Sequence, residues 1–478
     1  MKRWVYILML MLIAARAGAY SIPHEAWMGT FVSGKKVGWM SLNVEKAEFD
    51  GRQGYKITSV VNNRLKVLGT DMTQLVNTEV YTDDKFSPIK EIFSMSSGGK
   101  TTAVTAKFTA NSIEYEVSAG ETESTKKTIA IPDGPEMIAD PLFTTSDKFP
   151  DIGKECSLRY FNPLTLNLEP LTIKVNKRER ITVDGKSYET IAFDNITPMG
   201  TMNVWQEVGG DIVQLKGMMG ITMRRMTKEE ATANGDDGAA EDFAVLTSAK
   251  CDRQIDNPRG VKSMTAVLHG VSDSKMLIND LRQKAVAIKD QPDSAKFTIQ
   301  SSLFDEAQSQ KLPIAATAST KQYLSPTAYV DSDAELIVSQ AKEIAGTEKN
   351  AYLVCSNIRS WIYGNLTVKS DIGITRSGSD VLKSRVGVCR DYAILFAALA
   401  RSLQIPSKVV SGLLYTDGAF YYHAWVECYV GKWVPFDATL AADLVDATHL
   451  KLAEGDATTM FSLAKVIGSL KVDVIDCR

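Results

Sequence analysis

The sequence predicts an α+β protein in which antiparallel β structure comes first and a domain of helices followed by a sheet comes last. Two patterns along its 478 residues carry that prediction. From about Tyr20 to Lys250, short segments of alternating apolar and polar residues are separated by turn signals, the period-two signature of half-buried strands. From Ser332 onward, apolar residues recur three and four apart, as on helices, before alternation returns. A composition of 44% hydrophobic and 23% charged residues provides enough apolar surface for buried cores and excludes wholesale disorder. At roughly 150 residues per domain, the length allows about three domains.

The first element is a leader. Lys2 and Arg3 precede an apolar run from Trp4 to Ala15, and Ala17-Gly18-Ala19 supplies a small-residue cleavage pattern before Tyr20. The expectation is a secretory signal over residues 1–19 and a secreted or periplasmic mature chain. The run is short of the ~20 residues that span a bilayer, so no stable membrane insertion is expected after cleavage. An uncleaved anchor is the alternative.

Residues 20–255 follow as an antiparallel β-rich domain. Ser33-Gly34-Lys35, Asp50-Gly51, Gly98-Gly99, Asp184-Gly185 and Gly209-Gly210-Asp211 fall where hairpin turns belong. Nothing in this region resembles a catalytic cluster, so it reads as a binding or spacer module for an unknown partner. Residues 256–325 mix strand-like pieces such as SMTAVLHGV with polar spacers, and are expected to be a small β unit and linker. The last domain is expected at 326–478, folding on its own. Its helices are DAELIVSQAKEIA, AYLVCSNIRSWIYGNL and VCRDYAILFAALARSLQ, and its strands are SKVVSGLLY, FYYHAWVECYV and KWVPF.

Charge and cysteine usage narrow the function. Fifty-four Lys and Arg against 57 Asp and Glu leave a net charge of −3, so no general basic field attracts phosphate backbones and nucleic acid is not an expected partner. The six cysteines include no C-x-x-C pair, which argues against a disulfide framework and a four-thiolate zinc site. The four histidines lack the i, i+4 spacing of a helical metal site. No metal and no cofactor are expected.

One constellation carries chemistry. In GVCRDYAILFAALARSLQIP, Cys389 stands at the start of an amphipathic helix that Pro406 closes off. Unpaired backbone N–H groups and the positive helix end favour a thiolate there. A lone helical cysteine is more often a small buried hydrophobe, but two further residues change the reading. His423, within YYHAWVE, can act as the base that pairs with the thiolate, and Asp437, in VPFDAT on the next strand, can orient the imidazole. Arg390 and Asp391 read as solvated or capping residues, Trp361 as core packing, His449 as a satisfied histidine, and Cys428 as facing away from His423 by strand parity.

The order and wording of GVCRDYAILFAALARSLQIPSKVVSGLLY and HAWVECYVGKWVPFDAT resemble the transglutaminase-like cysteine-enzyme superfamily, over about the last third of the chain. The resemblance implies a papain-like α+β core with Cys389 as nucleophile, His423 as general base and acid, and Asp437 as orienter. One departure is Ala438, where the family usually has proline. The β region is similar, more weakly, to modules that accompany such cores in secreted bacterial proteins. The expected function is acyl transfer or hydrolysis at a carboxamide or peptide bond of a protein or peptide substrate, through a thioester. The alternative is a non-catalytic envelope protein with this fold as a scaffold.

Strand parity adds a geometric condition. A two-residue hairpin at Gly431-Lys432 would set Asp437 opposite Val426, turned away from His423. A three-residue loop at Val430–Lys432 would set Trp425 opposite Asp437, a five-residue loop would set His423 itself opposite, and either would bring the two side chains to one face. A register of that odd-numbered kind, or one shifted by a bulge, is therefore expected.

Overall fold

The computed structural model describes residues 22–119, 124–141, 150–208, 210–217, 220–233, 242–271, 273–370, 373–441 and 444–478. The expected signal at 1–19 and Gly209 of the expected last turn lie outside them.

The β-rich region is a fifteen-stranded sheet made of two meanders. His24–Val32 joins them by pairing antiparallel with Ile221–Met226. The hairpins turn where glycine-containing pairs permit positive φ: Ser33-Gly34, Asp50-Gly51, Gly98-Gly99 and Asp184-Gly185 all adopt it. A further turn of this kind, Leu68-Gly69, has leucine at φ 48°, a residue type that carries no turn signal in the sequence.

A second, nine-stranded sheet carries the C-terminal region. Its central strands are Ser407–Thr416 and Ala419–Tyr429, with His449–Gly455 beyond the first and Trp433–Phe436 paired to the second. Four helices precede or cover it: Glu335–Ala345, Ala351–Asn365, Gly378–Ser384 and Cys389–Ser402. The helix starting at Cys389 is buried nearly all round, from Asp391 to Arg401, rather than along one stripe. It is the central rod of the fold, with the other helices on one side and the sheet on the other.

The nine-stranded sheet runs across the expected division at residue 326. Strands Ser263–His269, Gln283–Ile288 and Gln291–Gln300 belong to this same sheet, because the final strand, Lys471–Cys477, inserts between Ser263–His269 and Ala249–Cys251. Met264, Ala266, Leu268, Phe297 and Ile299 share one core with Leu413, Tyr415, Leu450 and Leu452. The physical reason is long-range pairing: alternation in SMTAVLH shows a strand but not its partner. The fifteen-stranded sheet also contributes to a common core, where Phe93, Val104, Ile113 and Val117 pack in one cluster with Ile337, Val354 and Leu395 of the helices. Among the described residues no helix is long and apolar enough to cross a membrane.

Candidate active site

The start of the helix Cys389–Ser402 is held from below by buried charge. Asp391 accepts the Val388 N–H at 2.9 Å and lies 3.3 Å from Arg376, with both side chains fully buried. Arg376 also pairs with Asp380 at 2.9 Å and donates to the Val386 carbonyl at 2.7 Å. Asp391 therefore caps the helix, as expected, but from the interior rather than from solvent. Arg390 donates to the Ile374 carbonyl.

His423 lies on Ala419–Tyr429, where Ala424, Val426 and Cys428 turn into the helical core. Cys428 is thus on the face away from His423, as strand parity requires. The cross-strand partner of His423 is Gly412, at an irregularity in the pairing with His449–Gly455. A Cβ at Gly412 would stand 2.0 Å from the Leu450 carbonyl oxygen, so only glycine lets these strands approach.

The register of the next hairpin is the three-residue one. Tyr429 pairs with Trp433 and Val426 with Phe436, leaving Val430–Lys432 as the loop and extrapolating to Trp425 opposite Asp437. Asp437 and His423 come to one face, with His423 Nε2 2.7 Å from Asp437 Oδ2. The other carboxylate oxygen accepts the Thr439 N–H at 2.8 Å and its hydroxyl at 2.7 Å.

The thiol of Cys389 completes the arrangement. Burial pushes its pKa up, but the hydrogen bond with His423, the imidazolium charge, the Ala424 backbone N–H and Arg390 outweigh burial and hold it below the usual thiol value. Burial also opposes charge on His423, yet the Asp437 carboxylate and the contact with Cys389 push its pKa up to about 10. For Asp437 burial is again outweighed, by the charges and hydrogen bonds of His423 and His449, which keep the carboxyl well below its ordinary range. Because Nε2 of His423 faces the carboxylate, Nδ1 is the nitrogen left for the thiol.

The structure brings Cys389, His423 and Asp437 together and adds a residue that the sequence reading set aside. His449 is fully buried and directs Nε2 to the same Asp437 oxygen at 3.2 Å. No local signal marks it, since its strand reaches the site only by pairing with Ser407–Thr416. Trp361 lies at the helical core under the Arg385 guanidinium, 4.4 Å from its ring centroid. Trp425, by contrast, is buried beside both histidine rings, 6.3 Å from His423 and 5.4 Å from His449.

Among the described residues, two groups offer ligand atoms for a cation. His423, Asp437 and His449 are engaged with one another by hydrogen bonds instead. Asp280, Glu427 and Glu454 surround the buried ammonium of Lys451, at 2.5, 2.6 and 2.9 Å. Burial opposes that charge, but the three carboxylates raise the Lys451 pKa and keep it protonated.

A thiol at a helix start, opposed by an imidazole and a carboxylate on a sheet, is the arrangement of the cysteine-enzyme class. Residues 338–438 match the family model of the transglutaminase-like superfamily, and this part of the chain is a transglutaminase-like domain behind a β-rich region. An uncharacterised protein of Mycobacterium leprae (strain TN) is 29% identical over 136 residues, which cover 26% of this chain. The chain spans less than half of that relative, 47% of its length. Among solved structures, a chain named "Putative Cysteine Protease" from Cytophaga hutchinsonii is 21% identical, with 46% of this chain and 86% of that one covered at a TM-score of 0.32. A beta-barrel-like protein from Brucella abortus is 14% identical, with 42% and 94% covered at a TM-score of 0.30.

Proposed function

We propose that the protein is an extracytoplasmic cysteine enzyme that uses Cys389, His423 and Asp437 for acyl transfer or hydrolysis at a carboxamide or peptide bond of a protein substrate. The observation that carries this reading is the hydrogen-bonded succession from the Cys389 thiol through His423 to Asp437, 2.7 Å apart at its second link. The thiolate attacks the carbonyl carbon, and the Cys389 backbone N–H at the helix start is the donor suited to the oxyanion. His423 gives its proton to the departing amine or ammonia as the thioester forms. A second nucleophile then attacks the thioester while His423 takes up its proton. An amine as second nucleophile yields a crosslink; water yields deamidation or cleavage. Asp437, held by four donors, keeps the imidazole in the tautomer this sequence needs. We place the start of the catalytic unit near residue 248, where Ala249–Cys251 enters the sheet.

The test is a screen of glutamine-containing peptides with and without an added primary amine, read by mass, for the full chain and its Cys389→Ala variant. A mass gain equal to that of the added amine less about 17 Da (amine in, ammonia out), or of about 1 Da without the amine (water in, ammonia out), lost in the variant, supports the reading. Turnover that persists in Cys389→Ala contradicts it.

A further inference from the structure

We propose that His449 is a positioning residue of this site, a second imidazole that donates to Asp437 Oδ2 and so fixes the carboxylate that orients His423. The inference rests on the triad reading above and adds to it a residue that never touches substrate.

Hydrogen-bond direction decides the first step. An ionised carboxylate accepts and cannot donate, so any imidazole nitrogen in contact with it must carry a proton. Both His423 Nε2 and His449 Nε2 meet Asp437 Oδ2, at 2.7 and 3.2 Å. Oδ1 takes the Thr439 N–H and hydroxyl. Four donors thus saturate one carboxylate, and its plane cannot turn without breaking one of them. Loss of His449 leaves Oδ2 with His423 as its sole partner among these.

His449 is itself placed rather than merely enclosed. Its carbonyl accepts from Arg282 Nη2 at 2.7 Å, and its ring stands edge-on to Trp425. Its Nδ1 faces Asp446 Oδ2 at 3.4 Å. Asp446 is held by Arg259 at 2.9 Å and accepts the Thr448 N–H and hydroxyl at 2.8 and 2.5 Å. The charged and titratable groups facing the ring are therefore Asp437 and His423 from one side and Asp446 from the other, with Arg259 and Arg282 behind them. A histidine that only filled space would not need its Nε2 on the oxygen that His423 uses.

The two amide replacements of histidine separate positioning from packing. The side-chain nitrogen of His449→Gln reaches about as far as Nε2, whereas that of His449→Asn reaches only as far as Nδ1; both are polar and neither is larger than the imidazole it replaces. Alkylation of Cys389 by iodoacetamide is measured in the full chain from pH 5 to 9, with the modified peptide identified by mass. His449→Asn is expected to slow the reaction at pH 6 by about tenfold, the effect of losing one hydrogen bond to a charged group. His449→Gln is expected to recover most of that loss. Equal rates in wild type and Asn, or equal loss in Asn and Gln, overturn the proposal. Where the Asn variant does not fold, 15N spectra of histidine-labelled wild type decide: the hydrogen bond to Asp437 Oδ2 requires a proton on Nε2 of His449 at pH 7, and an unprotonated Nε2 there overturns the proposal. If wild-type Cys389 follows an ordinary thiol titration, the triad reading falls and the positioning role falls with it, an outcome distinct from a normal wild type with indifferent variants.

Discussion

Phe297→Ala tests whether the strands before residue 326 and the site share one cooperative unit. Phe297 is fully buried on Gln291–Gln300, in a core that also holds Leu413, Tyr415 and Leu450 from the strands beside His423. Truncating a buried phenylalanine costs about 3–5 kcal/mol, from lost transfer energy and the cavity left behind. If the nine-stranded sheet unfolds as a whole, that cost appears at any buried reporter within it, including reporters far from the mutation. Cys355 and Cys428 are such reporters, both fully buried in the other core cluster on the helix side of the sheet. Their labelling by a thiol reagent in native buffer should accelerate by roughly two to four orders of magnitude, as 1.4 kcal/mol is a factor of ten. Unchanged protection of Cys355 and Cys428 in a variant whose Gln291–Gln300 strand exchanges freely would refute the reasoning and restore a boundary near 326.

Four further outcomes follow from the same contacts. A chain cut at residue 326 should be insoluble or unfolded by circular dichroism, since Val261, Met264, Leu268, Met276, Phe297 and Ile299 together stabilise the shared core by about 9–18 kcal/mol, as much as a whole domain's usual margin. Arg376→Ala removes the buried guanidinium that Asp380 and Asp391 share and should lower stability by about 3–5 kcal/mol in denaturant titration. Gly412→Ala forces a carbon against the Leu450 carbonyl and should lower stability by about 1–3 kcal/mol, with Cys389 alkylation at pH 6 slowed as His423 shifts. His423 is raised from 6.5 to about 10 in the folded state, so its stabilising contribution is fully present below pH 6.5 and lost as pH rises through about 10; comparing wild type with His423→Gln by denaturant titration from pH 6 to 11 measures it.

What was legible in the sequence was local. Cys389 after Gly387, His423 among aromatics and Asp437 after Pro435 stand within short segments whose helix or strand character is readable, and parity alone required an odd register at Val430–Lys432. The alternating turns of the β-rich region were legible for the same reason: Asp-Gly and Gly-Gly pairs impose positive φ wherever the chain puts them. What was not legible depends on strands that meet across the chain. Lys471–Cys477 crosses between segments more than 200 residues earlier, which is why Ser263–His269 read as a separate unit. His449, Lys451, Arg259 and Arg282 become neighbours only through that sheet. Their burial as charged or polar groups has no periodic signature, because it is set by partners rather than by spacing.

The central claim, a thiolate poised by His423 at Cys389, is tested most directly by the pH dependence of iodoacetamide alkylation in the full wild-type chain, mapped by mass over all six cysteines. The account predicts that Cys389 reacts fastest and that its rate falls less between pH 8 and pH 6 than that of a free thiol, because its pKa lies below the usual thiol value. A Cys389 rate that falls roughly a hundredfold over that interval, as for a free thiol of pKa ~8.5, would contradict it.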